Sequence, residues 1–215
     1  MPDRQPYVDA TVAELRDLFA EQRRQVVSAW EQTGFADASL LLPAARWNRI
    51  VEDAVFLRNK ITASDFGRAV ADDLQVEFDP NDLDAFLAVN ARLVAELTNS
   101  ATVEKIQEAI AGDEPGDALR STFDRLEQDD ASMYAESAVT NASNFGGVKA
   151  AEQSGGTKTW VTTSGNPRST HAAMSGTTVA VGAAFPNGLR WPGDPAGDAE
   201  QVANCRCQLT FSGGG

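Results

Sequence analysis

The sequence predicts a mostly helical α+β protein, with an amino-terminal helical region over residues 1–130 and a carboxyl-terminal module over residues 131–215 that contains a short sheet. Three observations predict it. Apolar residues recur with a helical period through the first 150 positions, and after Gly156 the pattern turns to β-branched and aromatic residues. Composition shifts at the same place: residues 1–150 hold 27 acidic and 14 basic side chains, residues 151–215 hold four of each, and 8 of the 17 glycines lie between 151 and 197.

Val8, Val12, Leu15, Phe19, Val26 and Trp30 form the first stripe, with Thr11 and Glu14 at capping-box spacing and Gly34 as the stop. Trp47, Ile50, Val51, Ala54 and Leu57 predict a helix from Arg46 to Lys60 after Pro43, and Asp65 to Leu74 a short third one. Asp79-Pro80 has N-cap and N1 chemistry, and Leu83, Phe86, Leu87, Leu93, Val94 and Leu97 then share a face. Ser100 is the expected cap of a further helix carrying Val103, Ile106 and Ile110 and ending at Gly112. Periodicity continues through Leu119, Phe123 and Leu126, then through a helix over 131–154 rich in small residues, which allow another backbone to approach closely.

The α+β part covers 157–211. Thr157 to Thr163 reads as a strand, Gly165-Asn166-Pro167 as a turn, Arg168 to Met174 as a helical turn ending at Gly176, and Thr177 to Val181 as a second strand. Between Gly182 and Gly197 the density of Pro, Gly and Asn excludes regular structure. Asn204 to Phe211 is the last expected strand, with Cys205, Cys207, Leu209 and Phe211 on one face and Arg206, Gln208 and Thr210 on the other.

Composition narrows the function classes. Hydrophobic residues are 42% and charged residues 23% of the 215, a globular balance that excludes wholesale disorder, and two cysteines exclude a disulfide scaffold. No apolar run approaches the roughly 18–20 residues of a membrane span, and Met1 to Pro6 has no signal-peptide character, so a soluble protein without a membrane partner is expected. A net charge of −13 argues against a protein whose main work is gripping phosphates, and strong duplex DNA binding is not expected. Asp72-Asp73 and Asp129-Asp130 splay apart on a helix and are expected on its solvated face rather than in a shared metal site.

A set of positions in the last 80 residues carries more specific information. It comprises Asn144-Phe145-Gly146 and Ala150-Ala151 in the small-residue helix, Trp160, Arg168 followed by His171, Gly176, Phe185, Trp191-Pro192-Gly193-Asp194-Pro195 and Asn204-Cys205-Arg206-Cys207. In order and spacing it resembles the phage Mu F-like family of head morphogenesis proteins. The resemblance implies a non-enzymatic minor head (minor capsid) protein of a tailed phage. Its expected partners are the portal protein or the major capsid protein and further copies of itself, and its expected place is the virion interior near the portal. Two positions depart from the family pattern: Asn141 follows Thr140 where many members have Glu, and Asn166 stands where an acidic residue often precedes the Arg/His element. An appended toxin or enzyme domain, present in some members, is not expected here.

The single histidine and both cysteines of the chain fall in this one region. Three readings are open. His171, Cys205 and Cys207 are candidate zinc ligands, since a Cys-x-Cys pair on a strand directs both sulfurs the same way; a fourth ligand would come from Asp194, Asp198, Glu200 or a second chain. A Cys205–Cys207 disulfide lies near the geometric limit, because i,i+2 Cα atoms in extended chain are roughly 6.6 Å apart. Both thiols can also be small core hydrophobes, with Arg168 and His171 bonded to turn carbonyls. For catalysis, a Cys–His nucleophile pair is the only local candidate: no Gly-x-Ser-x-Gly elbow, phosphate-binding loop or dinucleotide fingerprint occurs, and one histidine precludes two-His nuclease chemistry within a chain. The alternative function is a metal-dependent nuclease or hydrolase packaged in the head; a scaffold-like interaction protein is a further rival.

Overall fold

The computed structural model describes residues 1–163 and 165–214. Eight α-helices and three strands occur among them: α1 (Gln5–Thr33), α2 (Ala38–Leu41), α3 (Ala44–Leu74), α4 (Asp84–Ile110), α5 (Pro115–Arg125), α6 (Ala131–Ala151), β1 (Thr157–Val161), α7 (Ser169–Met174), β2 (Thr178–Ala180), α8 (Ala199–Val202) and β3 (Gln208–Ser212). The chain is a mostly helical α+β protein, and its first strand begins at Thr157. The sheet is antiparallel in the order β2-β1-β3, with Thr157 opposite both Ala180 and Ser212.

Several helix boundaries differ from expectation. α1 starts at Gln5, with Pro6 in its first turn, so Thr11 is an interior residue whose hydroxyl donates to the Tyr7 carbonyl at 2.8 Å rather than capping. The helices expected at 46–60 and 65–74 are one, α3, because Thr62, Ala63 and Ser64 between them are buried helical residues rather than a break. α4 likewise runs through Ser100. The polar residues around it face inward: Asn99 accepts from Gln22 at 3.0 Å and donates to Asn48 at 2.8 Å.

The inward phase of α4 is also rotated from the expected one. Leu87, Ala91 and Ala95 are buried, whereas Leu93 and Leu97 are 43% and 63% exposed, because alanines allow α3 and α4 to pack closely where leucines would hold them apart. In the carboxyl-terminal module β3 starts four residues later than expected. Asn204 takes a left-handed φ of 52°, which interrupts extended chain ahead of the cysteines. The short helix α8, capped by Asp198 through the Gln201 amide, was not foreseen.

Helix α6 organises the molecule. It continues α5 through a π-helical turn at Leu126–Asp130, and 14 of its residues are buried, as befits a helix with neighbours on all sides. Its first half (Ala131, Ala135, Val139) packs with Val26, Trp47, Ile106 and Phe123 of the other helices. Its second half (Ala142, Phe145, Val148) shares a core with Ala63 and Val70 of α3 and with Trp160, Phe185, Trp191 and Leu209 of the carboxyl-terminal module. The core therefore runs across the compositional boundary. Gly146 lies where α6 crosses α3, and a β-carbon there would stand 2.0 Å from the Ala63 carbonyl oxygen.

On β1, Lys158 shares the inward face with Trp160 and is only 1% exposed. Its ammonium donates to the Val181 carbonyl at 2.6 Å and sits 5.5 Å from the Phe185 ring centre. Burial lowers its pKa to about 8, with Arg190 adding to the fall and Glu152 and Asp194 opposing it. The unfolded chain would hold this proton to about pH 10.4. Between the two values the unfolded state binds more protons, so stability contributed at this site rises with pH. Denaturant unfolding across about pH 7.5–10 should show that rise in the wild type and a flatter profile in Lys158→Met. Parallel profiles would refute it.

Candidate functional site

The segment before β3 and helix α7 bring the three candidate ligands together. Cys205 and Cys207 precede the strand yet keep its alternation, with both side chains buried and Arg206 between them exposed on the other side. His171, one turn into α7, places Nδ1 3.5 Å from each Sγ. The three donor atoms lie within 4.8 Å of one another. Trp160 packs edge-on to the imidazole at 5.3 Å between ring centres.

The backbone around the thiols is fixed by hydrogen bonds from distant parts of the chain. Thr140 Oγ1 donates to the Cys205 carbonyl at 2.5 Å. Asn144 Nδ2 and Arg4 Nη1 donate to the Cys207 carbonyl at 3.1 and 2.9 Å. Arg4 also reaches the Arg206 carbonyl at 3.2 Å. Burial lowers the Arg4 pKa to about 10, and the two thiols and Glu136 oppose that fall. Arg168, at the start of α7, donates to the carbonyls of Gln201 and Ala203 and so ties α7 to the segment leading into the cysteines.

The two thiols are electrostatically unequal. The neighbouring Cys205 thiol, helped by His171, holds Cys207 below the ordinary thiol range against the cost of burial. The proximity of Cys207, with burial, pushes Cys205 upward. Both cysteines are free, so the pair does not form a disulfide. The expected hydrogen bond from His171 to a turn carbonyl is not made either: Nδ1 faces the sulfurs, and Nε2 is buried without a partner among the described residues. Arg168 does bond to carbonyls as expected.

Above the triad opens a cleft of about 460 Å³, lined by Asn166, Pro167, Arg168, His171, Asn204 and the 205–207 segment. No carboxylate lines it among the described residues. The acidic residues expected to supply a fourth ligand are not in the cluster. Asp194 is fully buried and accepts from the Arg190 amide (2.9 Å) and guanidinium (3.0 and 3.2 Å) and from the Ala196 amide (3.1 Å), and Asp198 caps α8.

The remaining motif residues form a separate network on α6. Trp191 Nε1 donates to Asn141 Oδ1 at 2.9 Å, and Asn141 Nδ2 donates to Asn90 Oδ1 at 3.2 Å, so the asparagine at the departure position bridges α4 to the Trp191 loop. The Pro192 carbonyl accepts from Asn144 at 3.2 Å. Gly193, with φ of 82°, passes so close to the Asn141 backbone that a β-carbon would lie 2.9 Å from its nitrogen. Gly176, with φ of 80°, closes the turn after α7 by donating to the Trp160 carbonyl at 2.8 Å. The Asn204 amide donates to Ser137 Oγ at 2.7 Å.

Sequence reasoning missed Arg4, more than 200 positions from its acceptors, and the bonding role of Asn144. A polar side chain amid the small residues of α6 was the available signal for Asn144; none existed for Arg4.

Fold and site together define a mostly helical α+β protein with a buried His-Cys-Cys cluster beneath an open cleft. Comparison with protein-family models, curated proteins and solved structures finds no match for this chain.

Proposed function

We propose that the chain is a minor head protein of a tailed phage, acting in head morphogenesis through contacts with the portal and the major capsid protein, and that it is not an enzyme. The observation that supports this reading is the convergence of the positions carrying the Mu F-like resemblance. Arg168, Gly176, Trp191, Pro192, Gly193, Asp194 and Asn204 each make a hydrogen bond or close contact that builds one module around α6. Their roles are architectural, which suits a structural virion component.

Surface chemistry also favours protein partners over nucleic acid. All four cations of residues 151–215 are engaged within the chain: Lys158 is buried, Arg168 holds carbonyls, Arg190 is bound to Asp194, and Arg206 pairs with Glu136 at 3.2 Å. Apolar side chains are exposed on neighbouring helices, with Leu57 and Ile61 on α3 and Val89, Leu93 and Leu97 on α4. No helix among the described residues is long and apolar enough to cross a membrane.

Co-expression with the portal and major capsid proteins of the same phage, followed by pull-down, should recover a complex, and the chain should be found in purified virions. Absence from virions together with failure to bind either protein would refute the reading. Random-sequence duplex DNA should not bind measurably near physiological salt; sub-micromolar, salt-sensitive binding would reveal a basic surface and count against a protein-docking role. The alternative, a hydrolase packaged in the head, draws on the cleft above the triad, and phosphodiesterase turnover dependent on bound metal would favour it.

A further inference from the structure

We infer that His171 Nδ1, Cys205 Sγ and Cys207 Sγ bind one zinc ion whose fourth coordination position opens into the cleft. The inference is independent of the phage reading. It rests first on distance. In a tetrahedral site with Zn–S of about 2.3 Å and Zn–N of about 2.0–2.1 Å, a nitrogen and a sulfur ligand lie roughly 3.6 Å apart. Nδ1 stands 3.5 Å from each sulfur, the spacing such a site requires on both edges at once.

Hydrogen bonding accounts for this arrangement less well. Nδ1 of a neutral imidazole offers either one lone pair or one proton, so it can make one good hydrogen bond, not two equal ones. A cation bound by all three atoms, displaced from their plane toward the cleft, satisfies each of them. The donor chemistry selects the ion: two thiolates and an imidazole in tetrahedral disposition suit zinc, and the two thiolate charges balance its own.

The ligands are held before any metal arrives. The Cys205 carbonyl is fixed by Thr140, the Cys207 carbonyl by Asn144 and Arg4, and α7 by Arg168. These bonds orient the sulfurs and the imidazole from outside the coordination sphere, the usual task of supporting residues around a metal. A fourth protein ligand is not in reach among the described residues, and the cleft is bordered by all three donors, so an exogenous ligand completes the tetrahedron. Its effect on the fold is a cross-link between α7 and the segment entering β3.

The test uses the full chain, purified without chelators or metal-affinity resin. Elemental analysis should find close to one zinc per chain, and cobalt substitution should give thiolate-to-cobalt charge transfer with the visible bands of tetrahedral cobalt. Cys205→Ser and Cys207→Ser should each weaken the charge-transfer band, His171→Gln should lower metal affinity at least tenfold, and Val89→Ala, exposed on α4 away from the cleft, should leave both unchanged. Because the wild-type measurements stand alone, a variant that fails to fold does not decide the matter. Folded wild type that carries only trace zinc and gives no cobalt bands on titration would overturn the site. Added imidazole should shift the visible cobalt bands by entering the cleft, and an unchanged spectrum would overturn the open fourth position.

Discussion

Gly146→Ala is expected to destabilise the protein by about 3 kcal/mol or more, measured as the free energy of denaturant unfolding. The added carbon would stand 2.0 Å from the oxygen, 2.7 Å from the carbon and 2.8 Å from the Cα of Ala63. These are backbone atoms within α3, so no rotamer change relieves the overlap. Relief requires α6 to move away from α3, which opens the core on both sides of the crossing. The gain in helix propensity from Gly to Ala, about 1 kcal/mol, is too small to offset this. A change below about 0.5 kcal/mol would show that the two helices are not in contact at this point.

Asn144→Ala should cost a similar amount, about 3–5 kcal/mol, for a different reason. The Asn144 side chain is fully buried. Its Nδ2 faces the carbonyls of Thr140, Pro192 and Cys207 at 2.9, 3.2 and 3.1 Å, and its Oδ1 accepts from the Leu209 amide at 3.0 Å. Alanine leaves the Leu209 donor and at least one of these acceptors buried and unpaired, at about 1–3 kcal/mol each, and adds a cavity. Asn144→Asp distinguishes bonding from volume. It keeps the shape and the Leu209 bond but points an acceptor at carbonyl oxygens, so it should be no better tolerated than alanine. Near-wild-type stability of the aspartate variant would show that filling the space is what matters.

How far the sequence could be read depended on the kind of signal. The stripe from Val8 to Trp30 is regular because α1 presents one apolar face to the core, and its helical character was plain. The interruptions expected near Ser64 and at Ser100 do not occur: Thr62 and Ser64 are buried inside α3, with Thr62 bonded back to Arg58, and Asn99 beside Ser100 is buried and bonded to Gln22 and Asn48 of other helices, a tertiary effect with no local signature. The phase of α4 failed for a related reason: periodicity assigns leucines inward, but the close approach of α3 is made by Ala91 and Ala95, leaving Leu93 and Leu97 outside. At the candidate site, the rarity of His and Cys in this sequence made the convergence of His171, Cys205 and Cys207 legible. The supports behind them were not, because Arg4, Thr140 and Asn144 act on carbonyls whose positions only the folded chain determines.

The bond from Arg4 to the carbonyls of Arg206 and Cys207 also bears on the order of events during synthesis. A chain made from its amino terminus exposes α1 to the solvent long before residue 207 leaves the ribosome. The helices can dock on one another as they emerge, but the start of α1 has no acceptor until the last strand arrives. Its closure joins positions more than 200 residues apart, a contact of the kind formed late because so much chain must already be ordered. Arg4, at the start of α1, is thus among the last groups to be fixed, and until then the two thiols lack one of the groups that hold their backbone in place.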